Sequence, residues 1–131
     1  MAMEVEFYET ESGKTPVANF IDSLDRKSSA KVLRDLDLLA EYAPDLHEPY
    51  TKHIEGAIWE LRSKLASNIY RIFYFIWQGN RIVLLHGFTK KTQRTPPAEL
   101  NTAVFGRLRK TTQITKTMAT AKRRNDKNDF E

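Results

Sequence analysis

The chain has 131 residues, 40% hydrophobic and 29% charged, the balance of one domain closed around a single core. It holds no cysteine, which excludes a disulfide framework, a thiolate metal site and a thiol nucleophile, and fits a cytoplasmic setting. The net charge of +4 hides a segregation: residues 1–57 carry six bases against twelve acids, residues 58–94 seven against one, and residues 107–131 eight against three, so two basic zones that suit a polyanion follow an acidic start.

Glu4 to Glu9 alternates acidic and apolar residues, the pattern of a short strand with one face toward a core. Thr15 as N-cap with Pro16 at the first helical position marks a helix start, and Val17, Phe20, Ile21 and Leu24 form one apolar stripe. A second helix is expected over about 28–43, with Val32, Leu33, Leu36, Leu39, Ala40 and Ala43 inward. Lys31, Arg34, Asp35, Asp37 and Glu41 take its outer face, and Pro44 stops it. Residues 47–53 have neither periodicity and are expected to be a loop leading to Gly56. Three runs rich in β-branched and aromatic residues follow, Ile58–Leu65, Asn68–Trp77 and Arg81–Phe88, separated by short turns. They predict a three-strand antiparallel meander. Pro96-Pro97 opens a short third helix with Leu100, Ala103, Val104 and Leu108 on one face, weakened by Gly106. Beyond Lys110 an amphipathic stub around Ile114, Met118 and Ala121 is expected, with a mobile end after about Arg124. The order predicts an α+β fold. We expect residues 1–110 to form the domain and residues 111–131 a basic extension, partly helical and then mobile.

No P-loop, GxGxxG, HExxH or GxSxG motif is present, and His47, His53 and His86 match no metal spacing. No metal or cofactor is therefore expected. The first twelve residues carry acids without an apolar stretch, and no run approaches the roughly 18 apolar residues of a membrane span. Neither export nor membrane insertion is expected. What remains is an array of cations on the meander. Strand alternation puts Arg62 and Lys64 on one face with Glu60, and Trp59, Leu61 and Leu65 on the other. Arg71 interrupts an apolar strand, where its charge needs water, a ligand or a cross-strand partner such as Glu60. Only one acid stands within residues 58–94 against seven bases, so most of these cations lack a local counter-charge and favour an anionic partner.

Ile58-Trp59-Glu60-Leu61-Arg62-Ser63, Tyr70-Arg71-Ile72-Phe73-Tyr74, His86-Gly87-Phe88-Thr89-Lys90-Lys91-Thr92-Gln93 and Thr95-Pro96-Pro97 with Glu99 arrive in an order that resembles the phage-derived HigB-like branch of the RelE/ParE toxin superfamily. The likeness covers about residues 4–100. It implies a single RelE-like domain, a cognate antitoxin of helix-turn-helix type, and cutting of messenger RNA on the ribosome. By spacing it assigns Arg62, Lys64, Arg71 and Lys91 to the catalytic set and Lys52, Lys90 and Arg94 to RNA binding. One departure stands out: the tyrosine that stacks on a base in some relatives corresponds by spacing to Pro97, so that contact is absent or supplied by another residue.

Metal-independent RNA cleavage requires a base for the 2′-hydroxyl, an acid for the 5′-oxygen and cations where the phosphorane gathers charge. Lys64 or Lys91 is the expected acid or base, with Arg62 and Arg71 on the scissile phosphate. Two alternatives share these residues. One is a ParE-like inhibitor of DNA gyrase, in which the strand cations are dispensable, and the other is a nucleic-acid-binding module that cuts nothing.

Overall fold

The three β-branched and aromatic runs become strands inside a larger sheet, the first two at the expected bounds and the third two residues longer, to Lys90. The computed structural model describes residues 2–43, 45–90 and 96–128. Its elements are β1 (Glu4–Phe7), α1 (Pro16–Asp22), α2 (Arg26–Tyr42), β2 (Thr51–Glu55), β3 (Ile58–Leu65), β4 (Asn68–Trp77), β5 (Arg81–Lys90) and α3 (Pro97–Asn128). The fold is α+β, but the meander is part of a five-stranded mixed sheet in the order β1-β5-β4-β3-β2. β1 pairs parallel with β5, and every other pairing is antiparallel.

Three local expectations need correction. Residues 51–55, read as loop, are the edge strand β2. Only Thr51 in it is buried, so it carried no apolar alternation to betray it. The C-terminal helix is not short, since α3 continues to Asn128. Thr15 is extended at the start of α1 and makes no side-chain capping bond, so Pro16 with its preset φ opens that helix. α2 ends at Tyr42, with Ala43 returning to extended backbone; Pro44, the expected stop, lies outside the described residues.

The sheet is covered on both faces. On one, Val17, Ile21, Val32, Leu36 and Leu39 of α1 and α2 pack on Leu61, Tyr70, Ile72, Tyr74, Ile82 and Leu84. On the other, Ala103 of α3 joins Tyr8, Ile58, Phe73, Phe75, Val83, Leu85 and Phe88, with Leu100 and Val104 beside it. Burying each large side chain of these layers contributes roughly 1.5–3 kcal/mol. The first layer is tight enough to need a glycine. Gly87 stands opposite Ile72 on the α1 side, where a Cβ would lie 2.5 Å from Phe20.

Polar side chains also cross between α2 and the sheet. Ser28 and Tyr70 share a buried hydrogen bond of 2.7 Å, and Ser63 Oγ donates to Asp35 at 2.6 Å. Asp35, expected on the outer face of its helix, is 4% exposed. The helical stripe alone could not show this, because Ser63 and Lys31 make its burial tolerable.

Candidate functional site

Register decides which side chains share a face. Lys52 stands opposite Glu60, Arg62 opposite Arg71, and Lys64 opposite Ile69. Arg71 in turn faces Phe88, Ile69 faces Lys90, and Phe73 faces His86. Opposed residues project to the same side. Lys52, Glu60, Arg62, Lys64, Arg71 and Lys90 therefore rise together from the α3 face, beside the patch on which α3 packs. Lys52 does so from β2, not from a loop.

Lys90 belongs to this face because of a bulge. Phe73 faces His86 while the next residue, Tyr74, faces Leu84, so Leu85 is an extra residue on β5. Without it the alternation would turn Lys90 toward α1.

Glu60 is the centre of the cluster. It is 0% exposed, and its Oε1 accepts from Arg71 Nη1 at 2.5 Å and from Arg62 Nε at 3.1 Å. Its other carboxylate oxygen and Arg71 Nε are buried without a hydrogen-bond partner. One carboxylate thus holds two guanidinium groups side by side and leaves the trio with one net positive charge. Arg71 is buried, the Arg62 side chain is 27% exposed, and Lys52 and Lys64 are exposed. Lys90 is buried. Burial first, then the charge of Arg71, pushes its pKa below the usual lysine value; Arg62 and Lys52 act in the same direction and Glu60 opposes them.

Arg62, Lys64, Arg71, Lys90 and Lys52 share the face, whereas Lys91 and Arg94 lie outside the described residues. Arg81, counted in the same basic zone, stands at the opposite end of β5, where it pairs with Glu4 and Glu6 of β1. Counting acids within residues 58–94 missed those partners because β1 is distant in sequence. His86, which matches no metal spacing, is half-buried. It pairs through Nε2 with Glu99 in the first turn of α3 and stacks over Phe88. The pair ties α3 to β5 at the border of the cationic face. Glu60 figured in the sequence only as a possible cross-strand partner of Arg71; that it gathers Arg62 as well follows from one carboxylate lying within reach of two strands.

Two guanidinium groups on a fixed spacing, with ammonium groups around them, match the oxygens of a phosphodiester. Among the described residues no three His, Asp or Glu side chains come together as metal ligands, and no helix is long and apolar enough to cross a membrane.

The family described as "Phage derived protein Gp49-like (DUF891)" matches residues 19–105, a segment that includes β2 to β5 and the whole cationic face. Two curated relatives are the probable endoribonucleases HigB1 of Mycobacterium tuberculosis strains CDC 1551 / Oshkosh and ATCC 25618 / H37Rv. Each is 40% identical over 60 residues, 46% of this chain and 47% of the relative. The chain spans about half the length of the curated relatives it matches.

Proposed function

The chain belongs to the phage-derived Gp49-like family, and on that premise we propose that it is the HigB-like toxin of a type II toxin–antitoxin pair, an endoribonuclease that cuts messenger RNA on the ribosome. The observation that carries this reading is the buried Glu60 holding Arg62 and Arg71 together within a cluster of lysines. A carboxylate fully withdrawn from water is costly, and its return here is a preorganised pair of guanidinium groups facing the same way.

In this reading the non-bridging oxygens of the scissile phosphate lie on Arg62 and Arg71, where charge grows in the transition state. A 2′-oxygen attacks the adjacent phosphorus as its proton passes to a base. The bond from phosphorus to the 5′-oxygen breaks and that oxygen takes a proton, leaving a 2′,3′-cyclic phosphate and a 5′-hydroxyl end. Lys64 and Lys91 are the groups we assign to proton transfer, with Lys90, Lys52 and Arg94 on the flanking RNA. No metal enters the scheme. A site with so few proton-transfer groups gains most from a substrate already oriented, which is what the ribosome would supply. The cognate antitoxin, of helix-turn-helix type, is the partner this assignment requires. We place the end of the toxin domain at Lys110, whose ammonium pairs with Glu6 of β1 next to the Arg109 bond to the Glu9 carbonyl.

The test is 5′-end mapping of cellular RNA minutes after inducing the wild type or Arg62→Ala at matched protein levels. New 5′-hydroxyl ends inside coding frames, lost in the variant, are expected. Growth arrest without new ends, accompanied by cut DNA and an SOS response, would replace this reading with gyrase inhibition.

A further inference from the structure

Beside the paired arginines the structure has a cavity of about 270 Å³, lined by Tyr50, Lys31 and Asp35 together with Arg62, Lys64 and Arg71. Tyr50 is 44% exposed, yet its backbone is fastened on both sides. Its N–H donates to the His47 carbonyl at 3.0 Å, and its carbonyl accepts the Arg62 N–H at 2.8 Å. Among the described residues no other ring lies against it. An exposed aromatic whose backbone is tied to the strand that carries Arg62 is a stacking surface held beside the arginines.

The cavity also has a polar lining with capacity to spare. Lys31 Nζ donates to both oxygens of Asp35, at 3.0 and 2.9 Å, and Ser63 donates to Oδ2. An ammonium has three donors and a carboxylate about four acceptor positions, so Lys31, with its side chain 31% exposed, keeps one N–H to give and the carboxylate keeps acceptor capacity. A donor and an acceptor on one cavity wall are the groups that a base edge carrying an amino group and a carbonyl or ring nitrogen would use.

We propose that this cavity is a nucleobase subsite, in which one base of the RNA stacks on Tyr50 and turns its polar edge to Lys31 and Asp35 while the neighbouring phosphate lies on Arg62 and Arg71. The inference rests on the reading of the chain as an RNA cutter and adds where base identity is sensed. Phosphate contacts alone are the same for every nucleotide, so any preference must come from a surface of this kind.

The full chain is titrated with 2′-O-methyl RNA hexamers, which lack a free 2′-hydroxyl and stay intact, with a single abasic position moved along the strand. In the wild type one abasic position is expected to weaken binding by about ten-fold, the scale of one base stacked on an aromatic ring. Tyr50→Ala should weaken binding of the intact hexamer by a similar factor and become indifferent to that position, whereas Tyr50→Phe should behave as the wild type. An abasic penalty that persists unchanged in Tyr50→Ala overturns the subsite. Arg62→Ala keeps the two readings apart: equal weakening of intact and abasic strands supports the phosphate site whatever Tyr50 does. A wild type that binds none of the strands overturns both.

Discussion

Glu60 and Arg71 are a buried ion pair with two polar atoms left unsatisfied, and such a pair is costly to break from one side because the survivor stays charged and dry. Arg71→Ala is expected to lower the unfolding free energy by about 3 kcal/mol in urea denaturation. Adding Glu60→Gln should restore about 1 kcal/mol by removing the stranded charge; strictly additive losses would mean that the two residues do not act as a pair. Arg62, bound to the same carboxylate but 27% exposed, should cost less than about 1 kcal/mol when replaced by alanine, which makes it the cleaner probe of activity. Lys90 gives a prediction in pH. Its folded pKa lies below the ordinary lysine value, so between the two the unfolded chain binds more protons and stability rises with pH. Comparing urea unfolding at about pH 7 and about pH 10, a range that ends near the ordinary lysine pKa, the wild type should gain stability relative to Lys90→Met. A constant difference would mean that the amine titrates alike in both states.

At the scale of elements, the close approach of α1 to β5 depends on one missing side chain. A methyl at Gly87 would press on Phe20 at 2.5 Å, and overpacking of this kind typically costs about 1–3 kcal/mol. Gly87→Ala should lower thermal stability accordingly, and Phe20→Leu in the same chain should recover part of the loss. If Gly87→Ala melts as the wild type does, α1 is free to move away and the site does not depend on its position. The three central strands were legible because each is long, aromatic and bounded by turn residues. β2 was not, because an edge strand with one buried side chain takes its conformation from the β3 backbone beside it. The bulge at Leu85 was equally hidden: nothing in the run from Arg81 to Phe88 distinguishes an alternation that slips by one from one that does not.

Across the whole molecule, the charge segregation seen along the chain becomes a segregation in space only after some cations are cancelled. Arg81 and Lys110 are taken up by acids of β1 at one end of the sheet, while Lys52 and Lys64 stay exposed on the α3 face. Binding of single-stranded RNA should therefore weaken with salt through the cations of the α3 face and not through Arg81 or Lys110. Lys64→Ala and Lys52→Ala are each expected to flatten the slope of log K against log salt by about 0.7, the value for one phosphate contact on a single strand. Arg81→Ala should leave the slope unchanged. Titrations at several salt concentrations decide this, and an equal effect from Arg81 would mean that the whole sheet, rather than one face of it, attracts the RNA.

Composition, periodicity and turn chemistry by themselves determined the α+β class, the first two helices, the three central strands and the sharing of a face by Glu60, Arg62 and Lys64. These are local properties, carried by residues within a few positions of one another. Tertiary structure alone decided that Glu60 holds both arginines, that Asp35 turns inward onto Ser63, that Arg81 is spent on β1 and that Lys90 reaches the cationic face. Each of these depends on which distant strand or helix supplies the partner. An ion pair or a buried carboxylate is settled by separation in space and by access to water, and neither quantity is written in the spacing along the chain.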